Sequence, residues 1–112
     1  MFVKDVKEVS LLLDFYGDLL SERKQSVLTL YYNEDFSLAE IADEIGISRQ
    51  GVRELIKKSE AELSGLEDTL KLASRFLQLR NSAEKVENII GKYELPDEVR
   101  LAVLGLTGEL KK

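Results

Sequence analysis

The feature that most constrains this chain is the stretch 37–58, SLAEIADEIGISRQGVRELIKK. It contains the residues that begin and end two short helices joined by a tight turn. Ser37 and Glu40, three residues apart, form a capping box that opens the first helix. Gly46 suits the left-handed backbone that ends a helix, and Ser48 is an N-cap for the second helix. The pattern predicts a helix-turn-helix.

Apolar residues at helical spacing give both helices a common inner face, formed by Ile41, Ala42, Ile45, Ile47, Val52, Leu55 and Ile56. In DNA-bound helix-turn-helix proteins the second helix lies in the major groove, and its first residues meet the base edges. We therefore predict a set of DNA-contacting residues: Ser37, Ser48, Arg49, Gln50, Gly51, Arg53, Lys57 and Lys58. The alternative is that the same two helices form a packing or protein-docking unit, with the arginines on a solvated face.

Gly51 interrupts an otherwise good helical pattern, since glycine in a helix costs about 1 kcal/mol relative to alanine. It could allow close approach to a DNA backbone or close packing against the preceding helix. The sequence leaves both explanations open.

Charge counts against a simple nucleic-acid binder, because the chain carries a net charge of −5 and phosphate neutralisation supplies most non-specific affinity. The clearly positive segment is 47–59, with four basic residues and one acidic residue. We therefore expect weak binding to double-stranded DNA that requires a second copy or a partner.

The 112 residues are enough for one domain, 1–112, with a genuine core. Cys and His are both absent, which excludes disulfides, thiol chemistry, zinc-finger sites and triads built on either residue. The carboxylate pairs Asp43/Glu44, Glu60/Glu62 and Glu67/Asp68 are predicted to diverge or to lie on solvated faces, so we expect no enzyme activity, no cofactor and no metal. The N-terminus has no continuous apolar run, which predicts a cytoplasmic protein without a signal peptide or membrane span.

Further helices flank the motif. A stripe of apolar residues predicts a first helix over 2–20: Phe2, Val6, Val9, Leu13, Tyr16 and Leu20. Ser21 is the expected N-cap of a second helix, whose apolar face includes Val27 and Leu28. Tyr31 and Tyr32 are interpreted as core residues rather than platforms for stacking bases. The Ser64-Gly65 pair could end the second motif helix or only kink it.

From Leu66 to about Tyr93 the apolar spacing predicts one long helix. Its seam alternates steps of four and three: Leu72, Phe76, Leu79, Ala83, Val86, Ile90 and Tyr93. A second row, Leu66, Leu70, Ala73 and Leu77, broadens the stripe. The seam could be packed within the chain or could form a homodimer, and the pattern leaves the choice open.

Leu95-Pro96-Asp97-Glu98 marks a restart with proline at the first helical position. The final short helix is predicted to use Val99, Ala102, Val103 and Leu106 as its inner face, with Gly105 and Gly108 helping to end it. The fold class is therefore all-α: a helix-turn-helix core over 18–63 and a helical extension over 66–110 that could serve in dimerisation.

Two resemblances accompany this interpretation. Residues 19–63 resemble region 4 of bacterial sigma factors in the Ser21-Glu22-Arg23 opening, the Leu30-Tyr31-Tyr32 run, the entry 37–42 and Gly46-Ile47-Ser48-Arg49 with Val52. Nearly the whole chain is similar to the YlxM family of small bacterial proteins, through Leu11-Leu12, Asp14 and Tyr16 ahead of Leu19-Leu20, Ser48-Arg49-Gln50 and the long downstream helix.

The YlxM resemblance implies a helix-turn-helix regulator or accessory factor of the signal recognition particle pathway, because the family's gene lies beside those of the particle's GTPase and its receptor. It implies no catalytic residue. One hypothesis is a sequence-specific DNA-binding regulator acting in transcription. The other is a protein-interaction adaptor, in which the motif and the acidic long helix bind the particle's GTPase or its RNA.

Overall fold

The computed structural model describes residues 6–112 and contains six α-helices and no strand within that range. The all-α prediction is confirmed. The helices are α1 (Val6–Tyr16), α2 (Glu22–Leu28), α3 (Leu38–Ile45), α4 (Arg49–Leu70), α5 (Leu72–Ile90) and α6 (Asp97–Leu110). They form two compact units, the first ending at Lys71 and the second spanning Leu72–Lys112.

Within the described residues the first helix spans Val6–Tyr16, with Val6 exposed. It ends before the predicted limit of residue 20, because a 3₁₀ turn (Gly17–Leu19) follows Tyr16. Val9, Leu13, Tyr16 and Leu20 are buried as predicted. Phe2 lies outside the described residues.

The second helix begins where the serine cap predicts, because the Ser21 hydroxyl accepts a hydrogen bond from the Lys24 amide. After Leu28 the chain widens into a π-helical turn, Thr29–Asn33. Tyr32 is buried there and Tyr31 is half-buried, with their rings edge-to-face at a centroid distance of 5.0 Å. The prediction of a core position is confirmed for Tyr32, whereas Tyr31 is only partly buried and contacts the Tyr32 ring. The π turn itself has no marker in the sequence.

The helix-turn-helix forms as its capping residues predict. The Ser37 hydroxyl accepts from the Glu40 amide while the Glu40 carboxylate accepts from the Ser37 amide, which completes the capping box. Gly46 ends α3 with φ of 77°, a backbone that glycine adopts without strain. Ile41 and Ala42 are buried on the inner face of α3.

The prediction of a long helix from Leu66 to Tyr93 is wrong. Helix α4 continues through Ser64-Gly65 and ends at Leu70, and its C-cap Lys71 adopts a left-handed conformation with φ of 59°. The next helix, α5, ends at Ile90. The apolar rows continue across the break at Lys71, which is why periodicity alone gave one helix.

Three carboxylates that were predicted to be solvated instead bond α4 to α1, α2 and the π-helical turn, within the first unit. Glu60 is buried and accepts a hydrogen bond from the Tyr32 hydroxyl. Glu62 pairs with Lys24 at 2.9 Å, and Glu67 accepts from the Tyr16 hydroxyl at 2.5 Å. The partners are 28 to 51 positions away in sequence, so no local pattern identifies them.

In the second unit α5 packs against α6. Pro96 is the N-cap of α6 rather than its first residue, and the helix runs through Gly105 and Gly108 to Leu110. Its predicted inner face is also wrong, because Leu106 is exposed while Thr107 is buried. Thr107 donates to Glu87 at 2.5 Å and Lys111 pairs with the same carboxylate at 2.7 Å, so a polar contact replaces the expected apolar one.

Candidate nucleic-acid interface

The start of α4 is a capped helix N-terminus. The Ser48 hydroxyl accepts a hydrogen bond from the Gly51 amide at 3.0 Å, and Val52 in the next position is fully buried. The cap fixes where the helix begins and Val52 fixes which side faces the core. Together they determine which side chains of the first two turns point away from the protein.

Basic side chains occupy that outer side. Arg49, Lys57 and Lys58 are exposed, and Arg53 is half-buried. Val52 and Ile56 are fully buried in the same stretch of the helix. Of the predicted DNA-contacting residues, all but Ser37 therefore lie on α4 or at its cap, while Ser37 caps the preceding helix.

Gln50 is exposed but already engaged, since its side-chain amide donates to the Glu54 carboxylate at 3.0 Å. The amide oxygen is the acceptor half of the group that can pair with adenine. Because the amide group carries two N–H donors, the bond to Glu54 uses one of them.

Gly51 packs closely against the turn. A Cβ at this position would lie 3.2 Å from the Ser48 hydroxyl oxygen and 3.4 Å from Cδ1 of Ile47. The close neighbours are therefore the turn residues rather than the preceding helix. This packing accounts for a glycine in the helix without any DNA contact.

An acidic groove lies on the first unit between α2, the π-helical turn and α3. It encloses about 600 Å³ and is lined by Glu22, Gln25, Ser26, Thr29, Leu30, Glu34, Glu44 and Ile45. Three carboxylates thus surround an apolar floor of Leu30 and Ile45, and the lining has no Lys or Arg among the described residues. No local sequence pattern predicts this groove, because Glu22, Glu34 and Glu44 line it from separate parts of the chain.

Residues 6–112 hold neither a cluster of metal-binding side chains nor a membrane-crossing helix. No three side chains of the types that bind metals come together in this range. None of its helices has the length and apolar character needed to cross a membrane.

Comparison with known proteins gives a family. Residues 3–98 match the UPF0122 family, described as "Putative helix-turn-helix protein, YlxM / p13 like". A UPF0122 protein of Symbiobacterium thermophilum is 41% identical over 107 residues, covering 96% of this chain and 99% of the relative. Others are from Desulforamulus reducens, 41% identical over 92 residues (82% and 79% covered), and Acetivibrio thermocellus, 49% identical over 81 residues (72% and 69% covered).

The family description names a helix-turn-helix, which agrees with the geometry of α3 and α4. The match covers both units of the chain up to the first turn of α6. The chain therefore belongs to the UPF0122 family of YlxM- and p13-like helix-turn-helix proteins.

Proposed function

We propose that this protein is a DNA-binding regulatory factor that contacts duplex DNA through the first turns of α4. The observation that carries the proposal is the division of those turns, with Val52 and Ile56 buried and Arg49, Lys57 and Lys58 exposed on a capped helix. A helix so arranged can enter the major groove without disturbing the core.

The regulated process that we assign is protein targeting by the signal recognition particle, within the cytoplasm. The support for this assignment is the resemblance to the YlxM family, whose gene neighbours encode the particle's GTPase and its receptor. The arrangement of Arg49 and Arg53 supports duplex binding in general and specifies no target sequence, since arginine serves both guanine bases and phosphates.

The test is fluorescence anisotropy with labelled random-sequence duplex DNA over a series of salt concentrations. The wild type should bind, with log affinity falling linearly as log salt rises. The double variant Arg49→Ala, Arg53→Ala should lose about tenfold or more in affinity. If the two arginines contact phosphates, its log affinity should also fall less steeply with log salt.

A matched control removes the same two charges from the second unit, as Arg80→Ala with Lys85→Ala, both of which are exposed in α5. The control should bind nearly as well as the wild type. Equal loss in both variants would mean that net charge, not the recognition helix, governs binding, and absence of duplex binding at low salt would refute the proposal.

A second candidate function is supported by the acidic groove. Three carboxylates around an apolar floor suit a basic amphipathic segment of a protein, whose apolar side chains would meet Leu30 and Ile45. This arrangement favours the adaptor hypothesis, with the GTPase of the signal recognition particle as the partner to be tried.

The two functions separate by mutation. Reversal of the groove charges, as Glu22→Lys, Glu34→Lys and Glu44→Lys, should abolish binding to the GTPase, while the same three reversals at Glu94, Glu98 and Glu109 should not. Titration against the particle's RNA in the same assay tests whether the RNA, rather than the GTPase, is the partner. GTPase binding that is unchanged by the groove variant, or absent from the wild type, would exclude the groove as the docking site.

A further inference from the structure

A carboxylate occupies the centre of the outer face of α4, where the proposed DNA contacts lie. Glu54 is exposed, and the fully buried residues Val52 and Ile56 are two positions before it and two positions after it. Two positions along an α-helix correspond to about 200° of rotation, so both buried side chains lie almost opposite Glu54. In the first two turns of α4, Glu54 therefore points most directly away from these core residues.

Side chains of the proposed interface surround this carboxylate. By the same helical geometry, Gln50 and Lys58 lie about 40° to either side of Glu54, and Lys57 lies about 60° away. All three are exposed. The middle of the basic face of α4 thus carries one negative charge.

The carboxylate is oriented by its own helix. The Gln50 side-chain amide donates to Oε1 of Glu54 at 3.0 Å. In the described part of the chain, Oε2 of Glu54 receives no hydrogen bond, and Lys58, one turn further on, forms no ion pair with the group. Glu54 is therefore held in place by Gln50 and keeps an acceptor oxygen for a ligand.

A carboxylate at this position is unfavourable against most of a DNA surface. An ionised carboxylate only accepts hydrogen bonds, so phosphate oxygens and the acceptor edges of guanine and thymine repel it. The major groove has two donors, the 4-amino group of cytosine and the 6-amino group of adenine, and adenine places the acceptor N7 beside its amino group. Cytosine is therefore the base that suits Glu54 best.

We infer that Glu54 is a specificity-determining residue of the DNA interface, which accepts a hydrogen bond from the 4-amino group of a cytosine in the major groove. The inference rests on the proposed function, and it adds a base preference that Arg49 and Arg53 do not supply. On other sequences the same charge lowers the affinity, because it meets phosphates and acceptor edges. One side chain thus favours a cytosine and weakens binding to unrelated DNA.

The first experiment is selection of preferred duplexes from a random-sequence library, followed by sequencing, for the wild type, Glu54→Gln and Glu54→Ala. The wild type should enrich a site with cytosine at one position. Glu54→Gln should prefer adenine at that position, because the glutamine amide can donate to N7 while its oxygen accepts from the 6-amino group. Glu54→Ala should have no base preference there.

Fluorescence anisotropy measures the size of the effect. On the site selected by the wild type, Glu54→Ala should bind about tenfold more weakly, because the hydrogen bond to cytosine is lost. On random-sequence duplex it should bind about threefold more tightly, because a negative charge has been removed from the interface. The ratio of the two affinities should therefore fall about thirtyfold.

Glu84→Gln and Glu84→Ala are the matched controls. Glu84 is an exposed carboxylate in α5 that pairs with Arg80, four positions before it, at 3.4 Å. Its substitution removes the same charge from a similar contact within a helix. Both controls should select the same site as the wild type, and circular dichroism should show equal helix content in all four variants, since both glutamates are exposed.

Selection of the same cytosine by Glu54→Ala and by the wild type would overturn the inference. A wild type that binds duplex DNA without enriching a cytosine would overturn it too, and in both cases the proposed function stands. Equal changes in the Glu54 and Glu84 variants would assign the effect to net charge and would also refute a specific role for Glu54. A wild type that binds no duplex at low salt refutes both the inference and the proposed function.

Discussion

The hydroxyl of Tyr32 donates a hydrogen bond to the Glu60 carboxylate inside the first unit, where both residues are buried. Tyr32 lies in the π-helical turn after α2, and Glu60 lies on the inner face of α4. The contact therefore helps to fix the rotation of α4 about its own axis, and with it the direction in which Arg49 and Arg53 point.

Tyr32→Phe should destabilise the protein by about 1–3 kcal/mol, because it leaves the buried Glu60 carboxylate without its donor. Urea denaturation followed by circular dichroism measures the loss. Tyr93→Phe is the control, since Tyr93 is 63% exposed, and it should change stability by less than about 0.5 kcal/mol. Equal stabilities of the two variants would contradict a stabilising role for the contact.

Alkaline pH should act through the same residue. Burial, and then the hydrogen bond and charge of Glu60, raise the pKa of Tyr32 far above its ordinary value of 10.0. The stabilising contribution is complete below pH 10 and is lost above it, because the unfolded chain releases a proton that the folded protein retains; the slope is about 1.4 kcal/mol per pH unit. Above pH 10 the free energy of unfolding of the wild type should fall relative to that of Tyr32→Phe, with a difference that approaches this slope. Parallel curves for the two proteins from pH 8 to 11 would refute the prediction.

Acid should loosen the start of α3. The Ser37 amide, which donates to the Glu40 carboxylate, lowers the pKa of Glu40 below its ordinary value of 4.5. The contribution of this carboxylate is therefore present above pH 4.5 and is lost as the pH falls through the lowered pKa. Glu40→Gln should show a weaker dependence of melting temperature on pH between pH 3 and 6.

The other half of the capping box is tested separately at neutral pH. Ser37→Ala should cost about 1 kcal/mol, as removal of an N-cap usually does. Ser26→Ala, an exposed serine within α2, should leave stability nearly unchanged and serves as the control. A Ser37→Ala variant as stable as the control would mean that tertiary packing alone sets the start of α3.

The break between α4 and α5 offers a stabilising substitution. Lys71 has φ of 59°, a left-handed conformation that costs an L-residue with a Cβ about 1 kcal/mol and costs glycine nothing. Lys71→Gly should therefore raise the free energy of unfolding by about 0.5–1 kcal/mol. Asp35→Gly, at φ of 56°, should gain less, because aspartate tolerates this conformation better; a destabilised Lys71→Gly would contradict the explanation.

Local features were predicted well because their causes are local. Ser21, Ser37 and Ser48 cap the helices that they were expected to cap, and Gly46 ends α3 with positive φ. Each cap is a hydrogen bond between groups three residues apart, so a short stretch of sequence contains all of its determinants.

Features that depend on distant partners were missed. In sequence Glu60 has the pattern of a solvated carboxylate. In the folded protein the Tyr32 hydroxyl donates a hydrogen bond to it, which offsets the free-energy cost of burying the carboxylate. The helix break was missed for a different reason, since Lys71 takes a conformation that glycine usually marks, while the apolar spacing continues on both sides.

By itself the sequence determined the helices, their caps and the basic character of the first turns of α4, because backbone hydrogen bonding and helical period act over a few residues. Only the tertiary structure decided which carboxylates are buried and where the acidic groove opens. Those properties depend on which elements come together in space, and residues far apart in the chain share no local pattern that records it.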